Sequence, residues 1–382
     1  MTVHIRGVLT GAAGMVLGLG LAVSPGIGPG SGVLDAHAVD SSRQGNALVP
    51  YEAPSELDNT GAPALVATPK YSEDSAVKRN FFRTEAGNAK YTFRSEYFLP
   101  AHGAKPSYWS NTQAIAMVGK YMYVLSATGQ DKGFITRYDT AALKNLKVSS
   151  ARLAALRDYG LARAAGKASS ALDKKLTKAI KQGPQFTVGH GQSMAYDPVS
   201  QQLWMWQDDT EAKARIKKLL AISSDTLRPV HRYEFTMQIA GKDLPRGNNL
   251  CFDDAGNFYF DSIQAQASGA TSKGSERIYA GRIDNGKVTI HLLPQAIKNR
   301  PGELGQSIAF NPAARRLYLI SDSAFSSFPV DKANAGTLEP ADFQYTVLNT
   351  KREFEGIAFD SGGYGHLLVV RGPEVLRSTA PM

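Results

Sequence analysis

Four carboxamides and one carboxylate, Gln113, Gln192, Asn248, Gln306 and Glu355, each open an apolar phrase of one pattern: Gln113-Ala-Ile-Ala-Met117, Gln192-Ser-Met-Ala-Tyr196, Asn248-Asn-Leu-Cys-Phe252, Gln306-Ser-Ile-Ala-Phe310 and Glu355-Gly-Ile-Ala-Phe359. Amides donate and accept hydrogen bonds without changing charge, so the set suits polyhydroxylated ligands and offers little general acid or base chemistry. Amides at strand starts equally well satisfy the backbone of a neighbouring element, and both readings stand. Glycoside hydrolysis needs two facing carboxylates, and only Glu355, with Glu353 nearby, qualifies at this level. His190 and Arg246 flank the phrases, which extends the candidate ligand-binding set to Gln113, His190, Gln192, Arg246, Asn248, Gln306 and Glu355. His190 has no acid or nucleophile placed beside it in sequence, so no residue is assigned as catalytic. Gly191-Gln-Ser193 begins like a nucleophile elbow, but Ala195 stands where the closing glycine belongs, and Ser307 repeats the serine.

Equivalent residues can be brought together by an element that repeats. Each phrase is followed by turn residues and a second apolar run, as in Asp197-Pro198 before Leu203 to Trp206, or Asn311-Pro312 before Leu317 to Ile320. A polar turn between two β-rich runs predicts an antiparallel hairpin. Five such units predict an all-β fold, a five-bladed β-propeller whose innermost strands carry the phrases and place their first residues in a ring around a channel. The run Tyr91 to Leu99 resembles the outer strands Val230 to Phe235 and Phe343 to Leu348, and the fifth unit ends without an outer strand of its own. The N-terminal run is therefore expected to close the last blade, since an open ring leaves sheet edges unpaired. Trp204 and Trp206 alternate along one strand and are expected in the core.

The chain has 382 residues, 43% hydrophobic, enough for a sizeable core. Arg6 followed by an apolar stretch to Val23, with Ala36-His-Ala38 as a small-residue cleavage site, predicts a signal peptide over 1–38 and a secreted, extracellular protein. Residues 39–80, rich in Ser, Pro and Asn without periodicity, predict a disordered linker, and 81–382 the propeller. No later stretch is apolar enough for a transmembrane segment. The single cysteine, Cys251, takes a position that holds alanine in other repeats and is expected buried. Asp208-Asp209 and Asp253-Asp254 fall at strand ends and turns, where aspartate is common, and no metal or cofactor site is assigned. Gly26, Gly28 and Gly30 precede the cleavage site and make no dinucleotide fingerprint.

The net charge of +9 is concentrated in one place. The first repeat is about 25 residues longer than the others, and this insertion, 141–182, holds Lys144, Lys147, Arg152, Arg157, Arg163, Lys167, Lys174, Lys175, Lys178 and Lys181 against only Asp158 and Asp173. Leu143, Leu146, Leu153 and Leu156 at helical spacing, Ser170 as an N-cap and Gly166 as a break predict two short helices. One reading is a solvated excursion docked by its leucines. The other is a surface for an anionic partner, where each cation near an anionic membrane contributes about 1 kcal/mol. Secretion argues against nucleic acid as that partner.

Gly189-His-Gly-Gln-Ser-Met-Ala-Tyr-Asp-Pro198 with Leu203-Trp204, Gly256-Asn-Phe-Tyr-Phe-Asp261 and Gly305-Gln-Ser-Ile-Ala-Phe-Asn-Pro312 resemble the helveticin J family of large secreted bacteriocins. The resemblance covers about Tyr91 to the C-terminus and implies an antibacterial protein that binds and perturbs the cell envelope of related bacteria through an anionic polymer, a glycan or the membrane surface. It carries over no catalytic set, and the basic insertion departs from it. A secreted glycan hydrolase or lyase with its site in the channel, using Glu355 and His190, is the alternative, and a non-toxic envelope-binding propeller is the third.

Overall fold

A computed structural model describes residues 39–50, 52–59, 71–72, 76–100, 111–129, 131–167, 170–207, 215–245, 249–263, 275–299, 302 and 305–382. The expected signal peptide lies outside the described residues.

The described chain is mostly β. Four strands precede the first repeat: β1 (Ser41–Asn46), β2 (Ser55–Leu57), β3 (Phe81–Ala86) and β4 (Thr92–Phe98). The first repeat forms the antiparallel meander β5 (Thr112–Val118), β6 (Tyr121–Gly129) and β7 (Lys132–Asp139), then helices α1 (Thr140–Asn145), α2 (Ala155–Ala164) and α3 (Ala171–Ala179), and returns to pair β7 with β8 (Ile180–Gln182) and β9 (Phe186–Thr187). The second meander is β10 (Ala195–Asp197), β11 (Gln202–Trp206), β12 (Lys217–Ser223) and β13 (Pro229–Thr236). A small hairpin, β14 (Gln238–Ile239) with β15 (Lys242–Asp243), leads to the third: β16 (Cys251–Phe252), β17 (Phe258–Ile263), β18 (Glu276–Asp284), β19 (Lys287–Leu292) and β20 (Gln295–Ile297). The fourth is β21 (Gly305–Asn311), β22 (Arg316–Ser321), β23 (Ala324–Pro329), helix α4 (Val330–Ala335) and β24 (Gln344–Leu348). The fifth is β25 (Phe354–Phe359), β26 (Gly365–Val369) and β27 (Glu374–Ser378).

The fifth meander takes its outer strand from the other end of the chain: β27 pairs antiparallel with β4, as the sequence predicts. The hairpin partner of β4, β3, pairs in turn with β24, which joins the fourth and fifth meanders into one nine-stranded sheet. The first strands touch one another in a closed cycle, β5 to β10 to β16 to β21 to β25 and back to β5.

Apolar residues alternate along these strands and meet between meanders. Trp204 and Trp206 are buried with Phe235, Phe252, Phe258 and Phe260 between the second and third, their indole nitrogens donating to Ser200 Oγ and the Asn249 carbonyl. Cys251 is buried and free, and its burial pushes the thiol well above its ordinary pKa, which leaves it unreactive.

Two described stretches of the expected linker, 39–80, are strands. Within it β1 adds to β13 and β2 to β20, both in parallel, Ala47 and Leu48 enter the core between the second and third meanders, and Asn59 is fully buried with its amide on the Asn299 carbonyl and the Tyr345 hydroxyl. The arm covers strand edges that would otherwise lie open. Its pairing is made by backbone groups, which leave no side-chain periodicity to detect.

The insertion forms three helices instead of two. Ser170 caps α3 as expected, in a reciprocal capping box with Asp173. Leu143, Val148, Leu156, Tyr159 and Leu176 are buried against Phe134, Tyr138, Tyr97 and Val375, so the helices cover the seam between the first and fifth meanders.

Candidate functional site

The fold makes the opening residues of the phrases special through strand irregularity. In β5 the register shifts between Thr112 and Ala114, in β21 between Gly305 and Ser307, and in β25 between Phe354 and Gly356. The residues skipped are Gln113, Gln306 and Glu355. A bulge leaves one residue out of the ladder and re-aims its side chain, and here it does so at one position in three meanders. Gln192 reaches the same place differently. It follows Gly191, whose φ of 92° and close approach to Leu125 exclude a side chain: a Cβ there would stand 2.5 Å from Leu125 Cδ2.

Three of these side chains meet. Gln192 Nε2 donates to Gln306 Oε1 at 2.7 Å, and the Gln192 amide also hydrogen-bonds the Glu355 carboxyl. In the cycle of first strands, the meander of Gln192 is adjacent to neither of the other two, so these bonds cross the hub. Gln306 Nε2 continues to Asp322 Oδ1 at 3.1 Å, and Asp322 Oδ2 accepts from the Tyr71 hydroxyl at 2.6 Å. Gln113 sits beside this group with its Cβ facing Gly191, and its own Nε2 donates to the Thr112 carbonyl at 3.5 Å.

The electrostatics of the group are set by Glu355. Its side chain is 3% exposed, and desolvation, reinforced by the negative fields of Glu353 and Asp322, raises its pKa well above the ordinary carboxylate range. The Gln192 hydrogen bond and the Arg371 charge pull the other way without reversing the direction. Glu353 itself is ion-paired to Arg371, Nε to Oε2 at 2.6 Å. Two acceptor atoms in this buried group, Gln113 Oε1 and Glu355 Oε2, have no hydrogen-bond partner among the described residues. The arrangement biases a buried carboxyl toward its neutral, proton-donating form beside the acidic side chains of Asp322 and Glu353 and amides able to grip hydroxyl groups.

Of the other expected ligand-binding residues, Arg246 and Asn248 lie outside the described residues, and so does the pair Asp208-Asp209. His190 is exposed on the turn before Gln192. Ser193 is fully buried and its Oγ accepts from Trp206 N at 2.9 Å, the part of a structural repeat residue. Asp253 organises its turn by accepting from Ala255 N, Asn257 N and the Tyr259 hydroxyl, while Asp254 pairs with Arg315. Among the described residues no group of three or more His, Cys, Asp or Glu side chains is placed to hold a metal ion.

Sequence reasoning missed Asp322 and Tyr71. Tyr71 lies far from the phrases in sequence; Asp322 follows Gln306 by 16 residues, and the available hint for it was its place just beyond the second strand of a repeat hairpin.

In the basic insertion, Lys144, Lys147, Arg152, Arg163, Lys167, Lys174, Lys175, Lys178 and Lys181 are exposed. Arg157 is the exception and is corrected: it is 7% exposed, donates to the carbonyls of Leu99 and Pro373 at 3.3 Å and lies 5.2 Å from the centre of the Phe98 ring. It fastens α2 to β4 and the loop before β27. No helix among the described residues is long and apolar enough to cross a membrane.

No family model and no curated protein sequence matches this chain, so nothing in those comparisons links it to the helveticin J family. Among solved structures it is similar to a glucose dehydrogenase, with 9% identity and a TM-score of 0.36 over 82% of this chain and 100% of the other. It is similar to a luciferin-regenerating enzyme, with 11% identity and a TM-score of 0.33 over 72% of this chain and 77% of the other. A bifunctional GH43-CE protein of Bacteroides eggerthii matches with 11% identity and a TM-score of 0.36, over 72% of this chain and 34% of the other. At these scores the likenesses carry no argument about function.

Proposed function

We propose that the chain is a five-bladed β-propeller, its last blade completed by β4, and that the mouth of its axial channel binds a glycan and acts on it as a hydrolase or lyase. The supporting observation is the Glu355 carboxyl: buried, pushed toward its neutral form, with one oxygen unpartnered among the described residues, and tied through Gln192 and Gln306 to the carboxylate of Asp322. A carboxyl kept protonated serves as a general acid, and a second carboxylate in the same site supplies the base or nucleophile. In this reading Glu355 protonates the leaving oxygen, Asp322 is the second carboxylate, and Gln113, Gln192 and Gln306 hold ring hydroxyls. His190, exposed on its turn, takes no part in the chemistry.

The test is release of reducing ends from purified wall polymers and other polysaccharides. Glu355→Gln and Asp322→Asn are each expected to lower the rate at least about 100-fold, the loss typical of removing an acid or base. Ligand binding without any release would refute the enzymatic reading and leave a binding module.

A second reading is supported by a different observation, the nine exposed cations of the insertion. We propose that this face holds the protein to an anionic polymer or lipid surface of a bacterial envelope, outside the cell that makes it. An antibacterial effect would then follow from delivery of the channel site to that surface, and a growth-inhibition spot test on neighbouring species checks it.

A further inference from the structure

Tyr71 and Ser72 lie against residues around the amide group. The Tyr71 hydroxyl donates to Asp322 Oδ2 at 2.6 Å, the Arg371 guanidinium lies 4.9 Å from the centre of the Tyr71 ring, and Ser72 N donates to the Lys351 carbonyl at 2.9 Å. Asp322 is one of the residues assigned to the mouth, and the other two contacts adjoin it. Asp322 holds Gln306 with its other oxygen, Arg371 is fixed by Glu353, and Lys351 begins the segment that leads to Glu353 and Glu355. A carboxylate accepting a ring hydroxyl, beside a cation lying on the ring face, is a binding arrangement and needs no tyrosine to fill it.

We propose that Tyr71 occupies a ligand subsite built for a hydroxyl-bearing ring, and that external ligand reaches Glu355 only when residues 71 and 72 leave it. This rests on the reading of the mouth as a ligand site. The ligand donates a ring hydroxyl to Asp322, where the tyrosine hydroxyl now sits, and lays its ring against Arg371. Departure of Tyr71 removes one of the two hydrogen bonds on Asp322 and opens the amide chain that ends at Glu355. The phenol pays for this position with its acidity: desolvation and the Asp322 carboxylate both raise its pKa, so it stays a donor throughout the physiological range.

Two measurements on the full chain test this without requiring turnover. Carbodiimide coupling of a small amine, read by peptide mass spectrometry, reports access to the Glu355 carboxyl. Tyr71→Ala is expected to speed labelling of Glu355 at least tenfold and to leave buried Glu374 unlabelled, which controls for unfolding. Tyr71→Phe, which keeps the ring and loses the hydroxyl, is expected to give an intermediate rate. In the second measurement, 4-methylphenol should bind the Tyr71→Ala protein by ligand-observed NMR and slow Glu355 labelling, and should bind neither wild type nor the Tyr71→Ala, Asp322→Asn double variant. Competition by methyl glucoside marks a sugar ring as the ligand, and its failure to compete marks a phenolic one. Equal Glu355 labelling in wild type and Tyr71→Ala, or no binding of 4-methylphenol to the opened mouth, overturns the proposal. If labelling and phenol binding behave as expected while no glycan is cut, the subsite stands and the hydrolase reading alone fails.

Discussion

Arg352 and Glu374 form an ion pair at 3.2 Å with only 3% and 1% of their side chains exposed. Glu374 also accepts from Asn80 Nδ2 at 2.9 Å and Ser95 Oγ at 3.1 Å, and Arg352 donates to the carbonyls of Val370 and Gly372. The pair thus ties the loop before β25 to β27, to β4 and to the residue before β3. Removing one partner strands the other as an uncompensated buried charge. Arg352→Met is expected to cost about 3–5 kcal/mol, measured by chemical denaturation; a cost below about 1 kcal/mol would show that Glu374 is readily protonated or rehydrated.

Glu355 gives a pH-dependent prediction. A carboxyl whose folded pKa is raised opposes folding once the pH passes its unfolded pKa, and the penalty grows until the raised folded value is reached. Glu355→Gln keeps the shape of the neutral form and removes the penalty. The stability advantage of the variant over wild type is therefore expected to widen as the pH rises above the ordinary glutamate range. A constant difference from about pH 4 to about pH 8 would contradict burial of a neutral carboxyl at this position.

At the opposite end of β25, His366 is buried with Nδ1 at 3.3 Å from Glu96 and Nε2 at 3.3 Å from Asp360. Desolvation lowers its pKa, but the hydrogen bond to Asp360 and the charges of the two carboxylates outweigh it, and the net shift is upward. Its stabilising contribution is complete below the ordinary histidine pKa and is lost as the pH rises through the raised folded value. For Asp360 burial acts to raise the pKa, but the His366 hydrogen bond, the Tyr364 backbone and the charges of His366 and Arg377 bring it down to about 2. It therefore contributes above its ordinary 3.8 and loses that contribution as the pH falls toward 2. His366→Asn is expected to flatten the alkaline side of the stability profile, and an NMR titration of the His366 ring locates the transition. A ring that titrates at or below the ordinary value rules out the clamp.

The charged insertion calls for substitution in place of deletion, because its leucines fill the seam between the first and fifth meanders. Lys174→Glu, Lys175→Glu and Lys178→Glu, all on exposed positions of α3, are expected to change stability by no more than about 0.5 kcal/mol each. They should weaken binding to anionic vesicles or wall polymers at least tenfold at low salt, with the difference shrinking as salt is added. Unaltered binding would make the positive charge incidental.

The hairpins, the closing role of β4 and the buried tryptophans were legible because alternation and repetition are properties of neighbouring residues. The repeated phrases also marked Gln113, Gln306 and Glu355 correctly as equivalent positions, although the bulges that turn them toward the hub have no sequence signature of their own. The strands β1 and β2 within 39–80 were not legible, for the opposite reason. Their contacts are backbone pairs, with isolated anchors nearby such as Asn59, which composition hides. Arg157 looks like its nine basic neighbours in sequence, and only its two carbonyl acceptors and the Phe98 ring distinguish it. Tyr71 and Asp322 meet across about 250 residues of chain, a separation over which no local pattern reports.

The pairing of β4 with β27 sets the order in which the molecule can mature. Thr92–Phe98 is synthesised well before its partner Glu374–Ser378, so this sheet has no complete edge until translation of everything between them is over. Until then both edges are exposed to other chains, and an assembling molecule is at its most vulnerable to mispairing in the interval before this one seam is sewn.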